Sequence, residues 1–84
     1  QLAPELLMEQ IELWEELEAV EEGLAGLEGL EEFRKRLHKK MANLGEKFAG
    51  STDDQNALTV VYEMQFLSKL LVVADQLEEK LLDY

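Results

Sequence analysis

The chain has 84 residues, 46% of them hydrophobic and 32% charged, a length and composition that suit one small core and exclude two domains. Its formal net charge is −11, and eleven of the nineteen acidic residues precede Arg34, the first basic residue. Nucleic acids and other polyanions are therefore poor partners. The absence of cysteine excludes a disulfide framework, a thiolate metal site and a thiol nucleophile, and it fits a reducing cytosol.

The apolar runs of the chain are short. None approaches the roughly 18 residues that a membrane-spanning helix needs, and no basic segment precedes an apolar one at the start. We therefore expect no membrane partner. Because the chain begins with Gln1 rather than Met, we interpret it as an excised fragment.

The first predicted helix, about residues 4–22, has two apolar faces. Pro4 suits a first helical turn, where no N–H is needed. At 100° per residue, one stripe fit for a core consists of Leu6, Leu13, Leu17, Val20 and Leu24. The second set consists of Leu7, Met8 and Ile11, with Trp14 at its border and Glu12, Glu15 and Glu18 beside it. One face packs on the rest of the chain, and our hypothesis is that the other binds a partner protein.

The next stretch contains three glycines at intervals of three residues, Gly23, Gly26 and Gly29. Each glycine within a helix would cost roughly 0.5–1 kcal/mol relative to alanine, so the run predicts a turn over residues 23–29. The spacing fits neither GxGxxG nor a P-loop, which disfavours a nucleotide-binding loop.

The second predicted helix, about residues 30–49, has one apolar face. Its stripe consists of Leu30, Phe33, Leu37, Met41, Leu44 and Phe48. The segment from Arg34 to Lys40 holds five of the eight basic residues. Such a segment can bind nucleic acid or anionic lipid, or it can balance the acidic first helix. The strongly negative net charge of the chain favours the second interpretation, in which these basic residues balance the acidic first helix.

The third predicted helix follows a loop at residues 50–52 and covers about residues 53–82. Thr52 and Gln55 have the spacing of a capping box. The core stripe consists of Val60, Met64, Leu67, Leu71, Ala74 and Leu81, and it is extended to one side by Tyr62, Phe66, Leu70 and Val73. Short connections favour antiparallel neighbours. The predicted fold is all-α, an antiparallel three-helix bundle with a long C-terminal helix, in which Leu13, Leu17, Leu37, Met41, Met64, Leu67 and Leu71 are nearly fully buried.

Catalytic and metal-binding patterns are lacking. Di-iron bundles use Glu-x-x-His pairs, and here Lys35 stands three residues before His38. His38 lies among basic residues, which disfavour its charged form, so we interpret it as an exposed helix residue. We predict a protein that is not an enzyme and that has no cofactor and no metal.

Two stretches resemble a known family: LLMEQIELWEELEAVE at residues 6–21 and FLSKLLVVADQLEEKLLDY at residues 66–84. Together they are similar to the C-terminal helical domain of HscB, the J-domain co-chaperone of bacterial iron–sulfur cluster assembly, called Jac-type in eukaryotes. The resemblance implies a module that binds the scaffold protein IscU and presents it to HscA, a DnaK-type chaperone. It also implies a bacterial cytoplasmic or a mitochondrial matrix location.

The resemblance places the family's contact positions on six residues of this chain: Leu7, Met8, Ile11, Glu12, Glu15 and Phe66. The first five lie in or beside the second apolar face of the first helix. Ala19, Gln65 and Trp14 depart from the family pattern in its polar positions. The sequence lacks the His-Pro-Asp motif of a J-domain, so we expect it to hold the client without stimulating the chaperone.

An alternative is a self-associating helical bundle without an iron–sulfur role, in which the surplus faces of the first and third helices pair with a second copy. The net charge of −11 opposes this at low salt. The sequence therefore favours a monomeric binding module.

Overall fold

The computed structural model describes residues 4–23 and 26–83, which form three helices. Helix α1 spans Pro4–Glu21, α2 spans Gly26–Ala49 and α3 spans Asp54–Leu82. The all-α class, the three helices and the long third helix are as predicted. The ends of α1 and α3 lie within a residue of their expected positions.

The turn between α1 and α2 is shorter than its glycines predict. Gly23 adopts a positive φ of 82° just after α1, and its N–H donates to the carbonyl of Val20 at 2.9 Å. Gly26 has a φ of 66° and begins α2, four residues before the predicted start at Leu30. Both glycines adopt the left-handed conformation that glycine tolerates, and the earlier start places Leu30 within α2 rather than at its first residue.

Helix α3 is capped one residue later than predicted. Asp53, in an extended conformation, is the N-cap, and its carboxylate accepts a hydrogen bond from the N–H of Gln55 at 3.2 Å. The capping box expected from Thr52 is therefore wrong. A carboxylate at the N-cap also interacts with the positive end of the helix dipole, which a threonine hydroxyl does not.

Ion pairs between the helices establish their directions. Arg36 pairs with Glu16, and four residues later Lys40 pairs with Glu9 at 3.7 Å, so α2 runs antiparallel to α1. Arg34 reaches the other neighbour, with Nη2 2.7 Å from Asp75 and Nη1 2.8 Å from Glu78 on α3. The basic run thus balances the first helix, as predicted, and also the third.

One apolar core joins the three helices. Its buried residues are Leu13, Leu17, Val20, Leu30, Phe33, Leu37, Leu44, Val60, Leu67, Leu70, Ala74 and Leu77. The burial predicted for Leu13, Leu17, Leu37 and Leu67 is confirmed. The predicted stripe residue Leu24 lies outside the described residues.

The near-complete burial predicted for three residues at the centres of the stripes is wrong. Met41, Met64 and Leu71 are only partly buried against the core, and Phe48 remains 49% exposed. Leu70, predicted at the side of the stripe, is fully buried, and Leu77 is buried as well. Helix α3 packs against both α1 and α2, so the centre of its buried surface lies between these two helices. Relative to the predicted stripe, this centre is shifted toward α1.

The third helix is also more apolar than we predicted from the sequence. An 18-residue window within Asp54–Leu82 has a mean hydropathy of 1.5, which by length and composition would suit a membrane span. The expectation that no run approaches that length is therefore wrong. Only 22% of this window is buried in the bundle, so α3 keeps a large apolar surface.

Adjacent leucines of α3 test the observed core against the predicted one. Leu70→Ala should lower the free energy of unfolding by ~2–5 kcal/mol, because it removes a fully buried side chain and leaves a cavity. Leu71→Ala should cost clearly less, since this residue is half-buried. Urea unfolding followed by circular dichroism measures both. A larger loss at Leu71 would contradict the observed orientation of α3.

The ion pairs between α1 and α2 can be tested in the same assay. Replacing Arg36 and Lys40 by Gln should cost at most about 1 kcal/mol per pair at low salt, because the pairs are partly exposed, and less at high salt. The matched control replaces Lys35 and Lys39, which are exposed and form no ion pair within the described residues. Equal losses in the two double variants would contradict the pairing.

Candidate functional site

The second apolar face of α1 remains uncovered in the folded bundle. Leu7 is 47% exposed, Met8 62%, and Ile11 58%. We call these three residues the outer face of α1. Trp14, at its border, is 43% exposed. The core residues of the same helix, Leu13, Leu17 and Val20, are at most 5% exposed. The helix therefore separates the residues that fold the bundle from those that face solvent.

The acids of α1 divide into two groups. Glu9 and Glu16 form ion pairs with α2, so their charges are partly neutralised. Glu12 and Glu15 are exposed and take no part in an ion pair within the described residues. These two carboxylates lie beside the outer face and give it a negative border.

Phe66 is the predicted site residue that the fold places apart from the others. It is partly buried against the core and lines a small crevice between α1 and α3 with Leu6 and Gln10. Met8 and Glu12 instead line a crevice on the α2 side of α1. Phe66 therefore lies between α1 and α3, in a crevice whose lining includes none of the three outer-face residues, whereas Glu12 lies on the α2 side of α1.

The arrangement of these groups is typical of a protein-binding surface. Interfaces concentrate their binding energy in a few apolar anchors surrounded by polar groups. Three adjacent apolar side chains with exposed carboxylates beside them would suit an apolar partner surface that carries positive charge. The outer face would supply apolar contact area to such a partner, and Glu12 and Glu15 would supply negative charge.

One carboxyl group near this site has a perturbed pKa. Glu63 of α3 lines the same crevice as Phe66, and burial raises its pKa above the ordinary value of 4.5. The negative charge of Glu9 raises this pKa further, whereas Lys47 and Lys40 lower it. Ionisation of Glu63 is thus less favourable in the folded protein than in the unfolded chain.

The described residues contain no group of three or more His, Asp or Glu side chains placed to hold a metal ion. His38 is exposed on α2, as predicted.

The sequence analysis did not identify an apolar groove between the C-terminal half of α2 and the N-terminal half of α3. Met41, Phe48, Val61 and Met64 line it, and its volume is about 480 Å³. The apolar stripe of α2 signalled two of these residues, but they were assigned to the core. The groove is distinct from the outer face of α1.

The raised pKa of Glu63 predicts a pH-dependent stability. A carboxyl whose pKa is higher in the folded than in the unfolded state favours folding below the ordinary pKa of 4.5. This advantage is lost as the pH rises through the folded-state value. Glu63→Gln should therefore be more stable than the wild type at about pH 7, and this gain should shrink at about pH 3.

Thermal unfolding at the two pH values measures this difference. Glu79→Gln is the matched control, since Glu79 is an exposed glutamate of the same helix. A Glu63→Gln variant that is less stable than the wild type at neutral pH would contradict the raised pKa.

Comparison with known proteins identifies the family. The model of the HSCB C-terminal oligomerisation domain matches residues 2–75, which is most of the chain. No solved structure matches the chain. The match covers all of α1 and α2 and most of α3, including every residue of the outer face. The chain belongs to the HscB C-terminal domain family, a co-chaperone interaction module of iron–sulfur cluster assembly.

Proposed function

We propose that the outer face of α1 binds an IscU-type iron–sulfur scaffold protein. Family membership supports the class of partner, since the family is a co-chaperone module of iron–sulfur assembly. The exposure of Leu7, Met8 and Ile11 is the observation that carries the proposal. The fold buries a separate stripe of the same helix, so the core does not require these side chains.

The two unpaired acids add a second element of recognition. Glu12 and Glu15 have no ion-pair partner within the described residues, so they can interact with positive charge on the scaffold. Exposed charges at an interface edge mainly accelerate association, whereas buried apolar anchors slow dissociation. The two kinds of residue therefore have separable kinetic roles.

In this proposal the binding surface extends from the outer face to Phe66 of α3. Its ring is packed against the core and lines the crevice beside Leu6 and Gln10. A partner that covers the outer face and extends over this edge would bury what remains of the ring. Because Phe66 also supports the core, its truncation would affect both stability and binding.

In this proposal the domain holds the scaffold for an HscA-type, DnaK-like chaperone. Residues 1–84 contain one histidine, His38, and no His-Pro-Asp motif. Stimulation of the chaperone would therefore depend on a J-domain and not on these residues. The setting would be the bacterial cytoplasm or the mitochondrial matrix.

The triple variant Leu7→Ala, Met8→Ala, Ile11→Ala tests the outer face. It should keep its helical circular dichroism and most of its melting temperature, because the three residues are 47%, 62% and 58% exposed. Each anchor is worth on the order of 1–2 kcal/mol, so calorimetric titration with an IscU-type scaffold should show a loss of affinity of about a thousandfold or less.

A matched control keeps the number of apolar truncations and moves them to α3. Leu58, Val72 and Leu82 are 52%, 56% and 64% exposed, and they lie outside the outer face. Their replacement by Ala should leave scaffold affinity unchanged. Wild-type affinity in the α1 variant would show that the outer face is not the binding surface.

Self-association is a second candidate function, and one observation favours it. The matching family model is described as an oligomerisation domain. Exposed apolar side chains on all three helices, among them Leu27, Phe48 and Tyr62, are consistent with a further protein contact. Sedimentation equilibrium at low and high salt distinguishes a monomer from an oligomer.

A further inference from the structure

Among the described residues, Trp14 is the largest apolar side chain that the bundle leaves exposed. It is 43% exposed, and it belongs neither to the buried core nor to the partly buried side chains that pack against the core. It takes no part in the side-chain hydrogen bonds that form within residues 4–23 and 26–83, so its indole N–H has no acceptor there. Packing of the core therefore does not account for this side chain.

The position of Trp14 makes it continuous with the outer face. It follows Ile11 by three residues and Leu7 by seven, so the three side chains fall within about 60° of arc on one side of α1. The Cα–Cβ bonds of a helix tilt toward its N-terminus, which inclines the side chain at position 14 toward Ile11. A partner that covers Ile11, one turn away, therefore meets the indole ring.

Acidic residues border the indole as they border the outer face. Glu18 follows Trp14 by one turn on the same side of α1, Glu15 lies next to it in the chain, and both are exposed. Neither forms an ion pair within the described part of the chain. Interface residues that contribute most to binding are typically apolar groups ringed by polar ones, and tryptophan is enriched among them. Trp14 has these surroundings.

We propose that Trp14 is a further anchor for the scaffold, which receives the indole in an apolar pocket with a hydrogen-bond acceptor. This inference rests on the proposed function, and it adds the chemistry of the partner's surface. An indole that is buried at an interface needs apolar walls for its ring and an acceptor for its N–H. The scaffold offers both beside the surface that covers Ile11, and it carries positive charge near Glu15 and Glu18.

Truncation of Trp14 tests the anchor. Trp14→Ala should keep the helical circular dichroism, because the ring lies outside the core, and it should lower the affinity for an IscU-type scaffold about tenfold or more in calorimetric titration. Trp14→Phe, which keeps an aromatic ring and loses the N–H, should lose part of that affinity. Phe48→Ala is the matched control, since it removes an aromatic side chain that is 49% exposed on α2. Its affinity should not change.

A spectroscopic measurement follows the ring itself without a substitution. The chain contains one tryptophan, so incorporation of fluorotryptophan gives one fluorine resonance. The difference in its chemical shift between light and heavy water reports how far the ring is in contact with solvent. This difference should fall when unlabelled IscU-type scaffold is added. It should not change when the scaffold is added to the labelled triple variant Leu7→Ala, Met8→Ala, Ile11→Ala.

The outcomes separate this inference from the proposed function. A wild-type chain that binds no IscU-type scaffold overturns both. If the triple variant loses the scaffold, but Trp14→Ala keeps wild-type affinity and the ring stays in contact with solvent in the complex, the anchor is overturned and the outer face stands. Weaker binding of Trp14→Ala, together with burial of the ring in the complex, supports the anchor. An equal loss with Phe48→Ala contradicts a specific role for Trp14.

Discussion

The packing of α2 against α3 is the contact on which the rest of the structure depends. Leu30, Phe33, Leu37 and Leu70, which these two helices contribute, are at most 1% exposed. The ion pairs of Arg34 with Asp75 and Glu78 join the same two helices at their surface. Helix α1 adds Leu13, Leu17 and Val20 to this core, and its ion pairs join it to α2 through Arg36 and Lys40.

The small size of the bundle explains why so much apolar surface remains exposed. The chain measures 48 × 23 × 15 Å, so it is thin in one direction. A domain of this size buries a smaller share of its surface than a larger one, and three helices enclose only one narrow core. Each helix therefore keeps apolar residues outside, on α1 at the outer face and on α2 and α3 at the groove. Exposed apolar surfaces arise here without a separate structural element.

Charge gives the two surfaces different properties. Glu9 and Glu16 of α1 are paired with Lys40 and Arg36, whereas Glu12 and Glu15 beside the outer face form no ion pair with residues 4–23 or 26–83. The outer face is thus apolar with a negative border, and the groove is apolar with a single lysine, Lys69. A partner with positive charge is favoured at the first surface, and an apolar partner of either charge is tolerated at the second. The uneven distribution of charge therefore distinguishes the two exposed apolar surfaces from one another.

Helical periodicity, by itself, determined the fold class, the three helices, the exposed face of α1 and the burial of Leu13, Leu17, Leu37 and Leu67. These features depend on residues three and four apart in one helix, which the sequence shows directly. The resemblance at the two ends of the chain indicated the family. For the candidate site, the sequence predicted the exposure of Leu7, Met8 and Ile11, because they lie outside the stripe of Leu13 and Leu17.

Only the tertiary structure decided how far each helix is turned about its axis. A stripe several residues wide allows a range of rotations, and contact with two neighbours selects one of them. This selection buried Leu70 in preference to Leu71 and left Phe48 at the edge of a groove. It also placed Phe66 in a crevice between α1 and α3 and paired Glu16 rather than Glu12 with α2. Periodicity within one helix carries no information about the direction of its neighbours, so these details had to come from the packed bundle.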